Sequence, residues 1–433
     1  MHSFHYRDGR LYCEEVDLER VAQEFGTPLY VYSAGTILDH YRRLDAALAP
    51  LEHLICYAVK ANSNGAILKL LAEAGAGFDI VSGGELFRVL KAGGDARKCS
   101  FAGVGKSREE IEYALEQGVL SFNVESEAEL RRIDEIARNK SLRAPIALRV
   151  NPDVDAGTHR YVSTGRSENK FGIALDRVAA VYEQAARMPN ILIRGIQMHI
   201  GSQITDAAPF AEAIEKVAPL ILELKGRYPL EFFSVGGGIG IVYESSFASG
   251  SRDWWTEKDR VEATMTLPLT IQDYAEAILP PLRSIGLQVL LEPGRLLVGN
   301  AGVLLARVRY LKQTGTKKFV IVDAGMNDLI RPALYQSYHE IVPVREPAST
   351  KRESVDVVGP VCESGDFFAQ DRELPEMEDG DLAALMSAGA YGFAMASNYN
   401  SRPLPGEVLV QGDRFSLIRR RQTVEDLIRD ERS

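Results

Sequence analysis

A lysine that directly follows an apolar run is unusual, because most lysines are solvated surface groups. Lys60 holds that position in Tyr57-Ala58-Val59-Lys60-Ala61-Asn62. Partial desolvation at a strand end favours the neutral amine, ready to form an imine with an aldehyde cofactor; the plainer reading is a lysine at the start of a loop. Gly236-Gly237-Gly238-Ile239-Gly240 would let backbone N–H groups approach a phosphate without Cβ obstruction, although tight turns use the same residues. Glu292-Pro293-Gly294-Arg295 sets a carboxylate beside a guanidinium across a rigid turn. Such a carboxylate, bonded to a pyridine nitrogen, would keep the ring protonated and strengthen it as an electron sink; a local ion pair explains these residues equally well. His199 suits stacking on a planar ring or donating a hydrogen bond, although a lone histidine at a strand end is more often structural. Arg331 and Tyr335 are four apart, so on a helical turn they share a face that could grip a carboxylate. Cys362 beside Glu363 resembles neither a metal site nor a disulfide pattern, and a free cysteine is often just a small buried hydrophobe.

These residues need elements to hold them. Apolar runs alternate with amphipathic stretches of helical period, the pattern of a parallel sheet with crossover helices. About eight runs are present, beginning near 54–59, 78–81, 99–102, 120–124, 146–150, 195–199, 232–235 and 287–291. In the helical stretches Ile37, Tyr41, Leu44 and Leu48 share one face, as do Ile111, Ala114 and Leu115. Eight runs suggest a closed (β/α)8 TIM-type barrel, with a doubly wound open sheet as the alternative. Polar punctuation favours the barrel: Lys60, Asn62, Ser82, Gly103, Glu125, Asn151, His199, Gly236 and Glu292 all fall at or just beyond the C-terminal ends of the runs. That is the face on which barrel enzymes build their sites, with phosphate commonly bound after strands seven and eight.

After about Gly294 the texture becomes β-rich, as in Gly302–Val308, Lys318–Asp323 and Glu407–Val410. Leu29-Tyr30-Val31-Tyr32 is extended too and could pair into that distant region. The expected organisation is α/β, with a cofactor-binding barrel over 36–285 and an all-β domain from 1–35 and 286–433. Residues 242–269, with Trp254-Trp255, have no clear period and read as a long barrel loop.

Composition narrows the function classes. At 433 residues the chain exceeds what one core usually supports. Its formal net charge of −10, without a long basic run, argues against nucleic acid or an anionic membrane surface as partner. Four scattered cysteines show no metal-type pairing, no apolar stretch approaches a membrane span, and the first residues lack a secretory pattern. The expectation is a cytoplasmic, metal-free protein with reduced thiols.

Taken in order, the segments resemble the pyridoxal-phosphate decarboxylases built from a barrel and a β domain, which act on diaminopimelate, ornithine or arginine. The matching segments are 57–62, Asp79-Ile80-Val81-Ser82-Gly83-Gly84-Glu85, His199 to Gln203, 236–240, Glu292 to Arg295, Cys362 to Asp366 and Tyr391. Asn151-Pro152-Asp153-Val154-Asp155, Glu168-Asn169-Lys170-Phe171-Gly172-Ile173 and Asn327 to Tyr335 are most similar to the diaminopimelate branch. The resemblance implies pyridoxal 5′-phosphate as cofactor, held by Lys60, with His199 on its ring and Glu292 at its nitrogen. Ser202, Gly238, Gly294 and Arg295 would surround the phosphate, with Tyr391 close to cofactor and substrate. Arg295 would also reach substrate, while Arg331, Tyr335 and Glu363 hold its far end and Cys362 donates a proton. It further implies a homodimer in which Cys362 and Glu363 come from the partner subunit. The implied activity is conversion of meso-2,6-diaminopimelate to L-lysine and carbon dioxide, the last step of lysine biosynthesis. A decarboxylase of another basic amino acid or polyamine precursor is the alternative, although such relatives commonly carry Asp where this chain has Glu363. A racemase and a non-catalytic cofactor-binding barrel fit less well, the latter because it would lack counterparts of Cys362 and Tyr391. The 242–269 loop is longer than the family pattern.

Overall fold

The computed structural model describes residues 1–155, 170–257, 269–315, 317–347 and 349–432. Two compact units are present, each taken over its described residues: Met1–Asp39 with Val242–Thr266 and Leu297–Ser433, and His40–Ile241 with Leu267–Leu296.

Short runs buried on both faces are satisfied by parallel strands covered with helices. In the second unit those strands are His53–Ala58, Gly77–Ile80, Cys99–Phe101, Ser121–Val124, Ala144–Asn151, Ile191–Met198, Phe232–Ser234 and Gln288–Leu291. Each pairs in parallel with the next, and Leu290 pairs with Leu54 to close the ring. The expected barrel is therefore formed, and the open sheet is excluded. Helices start soon after strand ends because Ser82, Ser107 and Ser126 accept the N–H groups of Glu85, Glu110 and Glu129 as N-caps. The apolar faces read from sequence, Ile37 to Leu48 and Ile111 to Leu115, are buried.

The barrel interior is layered. Cys56, Ala147, Phe232 and Leu290 form an apolar cluster. A Cβ on Gly195 would stand 2.4 Å from the Phe232 ring, so glycine there gives that ring its space. Nearer the C-terminal ends the inward side chains become polar: Asp79, Ser100, Asn123, Gln197, Ser234 and Glu292 are all buried. Register sets some of them level, Asp79 with Ser100 and Gln197 with Ser234.

The first unit is built around the long strand Gly302–Thr314, which pairs antiparallel with Lys317–Val322, Leu382–Leu385 and Leu29–Ser33. Leu29–Ser33 also lies parallel to Gly406–Gln411, so the pairing expected between the two ends of the chain occurs. Alternation divides that strand: Leu29 and Val31 enter a core with Val303, Leu305, Val408 and Val410. Tyr30 and Tyr32, on the other face, donate to the Asp328 carbonyl and to Glu407 Oε1 at 2.6 and 2.8 Å.

The division differs from the sequence-based one in three places, the first being a boundary at 39/40 and not at 35/36. The strand Gln288–Leu291 closes the barrel, so the chain leaves that unit at 296/297 and not at 285/286. The described part of the irregular segment, from Val242 to Glu257, belongs to the β-rich unit and contains the helix Arg252–Glu257. There His2 binds the Ser246 carbonyl at 2.8 Å, and the Phe247 N–H donates to Glu340 at 2.7 Å. Residues 258–268 of that segment, and Glu168-Asn169 of the family-like segment, lie outside the described residues.

Candidate active site

Lys60 sits in a single 3-10 turn, Val59–Ala61, directly after the first barrel strand. Its Nζ donates to Asp79 Oδ2 at 2.5 Å; Asp79 is 1% exposed, and its Oδ1 has no hydrogen-bond partner among the described residues. The lysine is thus pinned by a buried carboxylate from the next strand. Asp79 received no role from sequence, though a charged residue inside Phe78-Asp79-Ile80 is the signal that could have found it.

Glu292 lies just past the eighth strand, 6% exposed, among neutral donors. Ser234 Oγ and Asn123 Nδ2 donate to Oε1 at 2.7 and 3.4 Å, and Gln197 Nε2 donates to Oε2 at 3.0 Å. Ser100 accepts from the same Asn123 amide at 2.8 Å. Burial pushes the Glu292 carboxyl above its ordinary range, and the nearby Asp79 carboxylate pushes it further. A buried acid poised in this way is suited to sharing a proton with a basic ring nitrogen.

His199 follows the sixth strand. The Gly237 N–H donates to its Nδ1 at 3.2 Å, so the ring proton belongs on Nε2. Burial, then the cations Arg149 and Lys60, hold its pKa well below the usual value and keep the ring neutral.

The glycine cluster is dictated by close backbone approach. A Cβ on Gly237 would stand 2.1 Å from the Glu292 carbonyl oxygen, and one on Gly238, at φ +112°, 2.4 Å from that of Gly201. No other residue type fits there. Ile204 exchanges backbone bonds with the cluster, donating to Gly238 at 2.9 Å and accepting from Gly240 at 2.8 Å. Arg295, 7% exposed, reaches Ser202 Oγ at 3.0 Å, and Gly294 is buried beside it.

The remaining sequence-derived residues belong to the β-rich unit. Arg331 opens the short helix Arg331–Tyr335 and is 5% exposed; Tyr335 is half-buried. The guanidinium donates to Ser337 Oγ at 3.1 Å and to His339 Nε2 at 3.4 Å, and lies 5.1 Å from the Tyr243 ring centroid. His339 Nδ1 bonds the Met386 carbonyl at 2.8 Å, so its Nε2 lone pair is turned toward the arginine. Tyr243 and His339 were missed, because nothing periodic marks the stretch that carries Tyr243. Cys362 and Glu363 are exposed, and Tyr391 is half-buried at φ +57°. Asp366 fastens their surroundings: its carboxylate accepts the N–H groups of both Met326 and Val361 at 2.6 Å.

The model of the pyridoxal-dependent decarboxylases' pyridoxal binding domain matches residues 34–299. Diaminopimelate decarboxylase of Pseudomonas aeruginosa is 49% identical over 428 residues, 99% of this chain and 98% of its own. Crystal structures of diaminopimelate decarboxylase from Helicobacter pylori and M. jannaschii, both with L-lysine, match with TM-scores of 0.87 and 0.90. Their identities are 42% and 37%, covering 95% and 100% of this chain and 98% of each of theirs. The chain belongs to the diaminopimelate decarboxylase family of pyridoxal-dependent enzymes.

The residues present fit the cofactor of that family. An aldehyde requires an amine, provided by Lys60. A pyridine nitrogen requires a buried acid, provided by Glu292 with its shell of Ser234, Gln197 and Asn123. A phosphate requires approachable N–H groups and a cation, and the glycine segment with Ser202 and Arg295 has that chemistry. Among the described residues no cluster of metal-binding side chains is present.

Proposed function

We propose that this decarboxylase acts on meso-2,6-diaminopimelate and releases L-lysine and carbon dioxide, the final step of lysine formation. The observation that carries the reading is likeness over the whole chain, barrel and β-rich unit alike, to enzymes named for that substrate. Lys60 would hold the cofactor's aldehyde, His199 would cover its ring, and Ser202, Gly238, Gly294 and Arg295 would receive its phosphate. Pyridoxal 5′-phosphate, when bound, supplies an electrophilic aldehyde for the substrate amine and an electron-poor ring for the electron pair left by carbon dioxide.

This chain's residues set up that chemistry. Asp79, bonded to the Lys60 amine, fixes the direction of that side chain at the strand end. Glu292 holds a proton at the ring nitrogen, oriented by the neutral donors Ser234 and Gln197. The neutral His199 ring presents an uncharged face. Cys362 returns a proton to the carbon that has lost its carboxylate, and Tyr391 lies alongside. Specificity belongs to the far end of the substrate, because the reacting end is common to all amino acids. Arg331, with Tyr335 and Arg295, would take the second carboxylate and Glu363 the second ammonium; a simple diamine precursor would leave the arginine unanswered.

A homodimer is part of the proposal, and the exposure of both Cys362 and Glu363 supports their presentation to a partner subunit. Four free thiols, Cys13, Cys56, Cys99 and Cys362, support a reducing, cytoplasmic setting. Among the described residues no helix is long and apolar enough to cross a membrane. Product analysis tests the substrate. With added cofactor, meso-diaminopimelate should yield lysine and carbon dioxide, and equal turnover of ornithine or arginine would move the assignment to another basic amino acid.

A further inference from the structure

We infer that Tyr399 and Asn400 are positioning residues that hold the adjacent pair Cys362 and Glu363 in working order. The inference rests on the roles proposed above for that pair. Tyr399 Oη donates to Glu363 Oε2 at 2.8 Å, and Asn400 Oδ1 accepts the Cys362 N–H at 2.9 Å. Two consecutive residues therefore grip two consecutive residues, one through its side chain and the other through its backbone.

The grip has a cost in the backbone that supplies it. Asn400 and Ser401 both stand in the left-handed region, at φ +56° and +53°. Non-glycine residues occupy it only where the surroundings require it, and asparagine tolerates it better than most. That conformation is held from both sides. Upstream, the Ser397 N–H donates to the Asn327 carbonyl at 2.8 Å; downstream, Arg402 donates to the Asp323 carbonyl at 3.1 Å. The Asn398 amide adds bonds to the Arg402 carbonyl and to Gln422 at 2.8 and 2.7 Å. The gripping turn is thus tied to the 323–328 segment that leads into Arg331.

Consequences differ for the two contacts. A carboxylate with one oxygen bonded to a tyrosine has a fixed orientation, and its other oxygen is aimed at whatever cation approaches. Tyr399 therefore acts through Glu363 on substrate binding. Asn400 fixes the backbone at Cys362 and hence the direction of its thiol, which acts on proton delivery.

The test uses the full-length holoenzyme, with bound-cofactor absorbance as the check that each variant is folded. For Tyr399→Phe, KM for meso-diaminopimelate should rise about tenfold with kcat nearly unchanged, the expected loss for one hydrogen bond to a charged group. Binding of L-lysine, measured by calorimetry, should weaken by a similar factor. In a Glu363→Gln background the same substitution should add little to either. For Asn400, glycine keeps the left-handed turn without the acceptor, and aspartate restores the acceptor. Asn400→Gly should lower kcat about tenfold, and Asn400→Asp should recover most of it. Equal losses for Tyr399→Phe with and without Glu363, or unchanged kcat in Asn400→Gly, would overturn the inference. If wild-type enzyme ignored meso-diaminopimelate, the substrate reading would fail instead, and the same cycles on the true substrate would still decide the positioning roles.

Discussion

Glu292 is surrounded by Ser234, Gln197 and Asn123, all uncharged donors, so its carboxyl is oriented without being neutralised. A glutamine there keeps the shape and one acceptor but cannot hold a proton at a ring nitrogen. Glu292→Gln should still bind cofactor, as read by its absorbance, while kcat for carbon dioxide release falls at least about a hundredfold, the usual size of a lost electrostatic contact. A nearly active variant would remove Glu292 from that role. Asp328 answers a different question at the same scale. Burial pushes its carboxyl from 3.8 to about 6, although the Gly325 N–H opposes the shift. Between about pH 4 and 6 the folded state therefore holds a proton that the unfolded chain has released, so stability falls as pH rises through that window and levels off above it. The contribution is at most about 3 kcal/mol. Asp328→Asn keeps the acceptor for Gly325, and the Asn327 amide, which donates to Asp328 Oδ1 at 3.0 Å, would have to turn so that its Oδ1, without a hydrogen-bond partner among the described residues, accepts from the new amide. Denaturant midpoints from pH 4 to 7 should show a flatter profile for the variant; parallel profiles would assign the slope to another group.

At the scale of elements, the glycine segment couples two parts of the site. Gly237 lies against the Glu292 carbonyl, so adding a methyl there would push apart the glycine segment and Glu292, the parts proposed for the phosphate and the ring nitrogen. Gly237→Ala should weaken cofactor binding more than tenfold and lower Tm by several degrees, the range for overpacking a close contact. Gly226, in the helix Ala208–Arg227 with nothing near its missing Cβ, is the control and should lose neither. The eight strands were legible because each is a mostly apolar run that ends in polar residues, a signal that needs no tertiary information. Lys60, His199 and Glu292 were legible for the same reason, since they interrupt or end such runs. Asp79, Gln197 and Asn123 carry the same polarity but lie inside the runs. Their importance depends on which strands become neighbours, as when Asn123 and Glu292 meet across 169 residues of chain. Tyr243 was illegible for a stricter reason: its stretch has no period, and its partners Arg331 and His339 are about ninety residues on.

At the scale of the molecule, the residues proposed for cofactor and those proposed for substrate are sorted by unit. Lys60, His199, Ser202, Gly238, Glu292, Gly294 and Arg295 belong to the barrel, whereas Arg331, Tyr335, Cys362, Glu363 and Tyr391 belong to the β-rich unit. In the proposed homodimer, Cys362 and Glu363 serve the partner's Lys60, a dependence that single variants cannot reveal. Lys60→Ala and Cys362→Ala should each be nearly inactive alone. If dimers share sites, subunit exchange between the two should restore about a quarter of wild-type activity, because half of the mixed dimers are heterodimers and each carries one intact site. Recovery should require exchange, following its time course after brief dissociation and reassociation, and should be absent when the two dimers are mixed without it. If complete exchange restored nothing, each chain would have to build its site alone, and the exposed Cys362-Glu363 pair would need a different explanation.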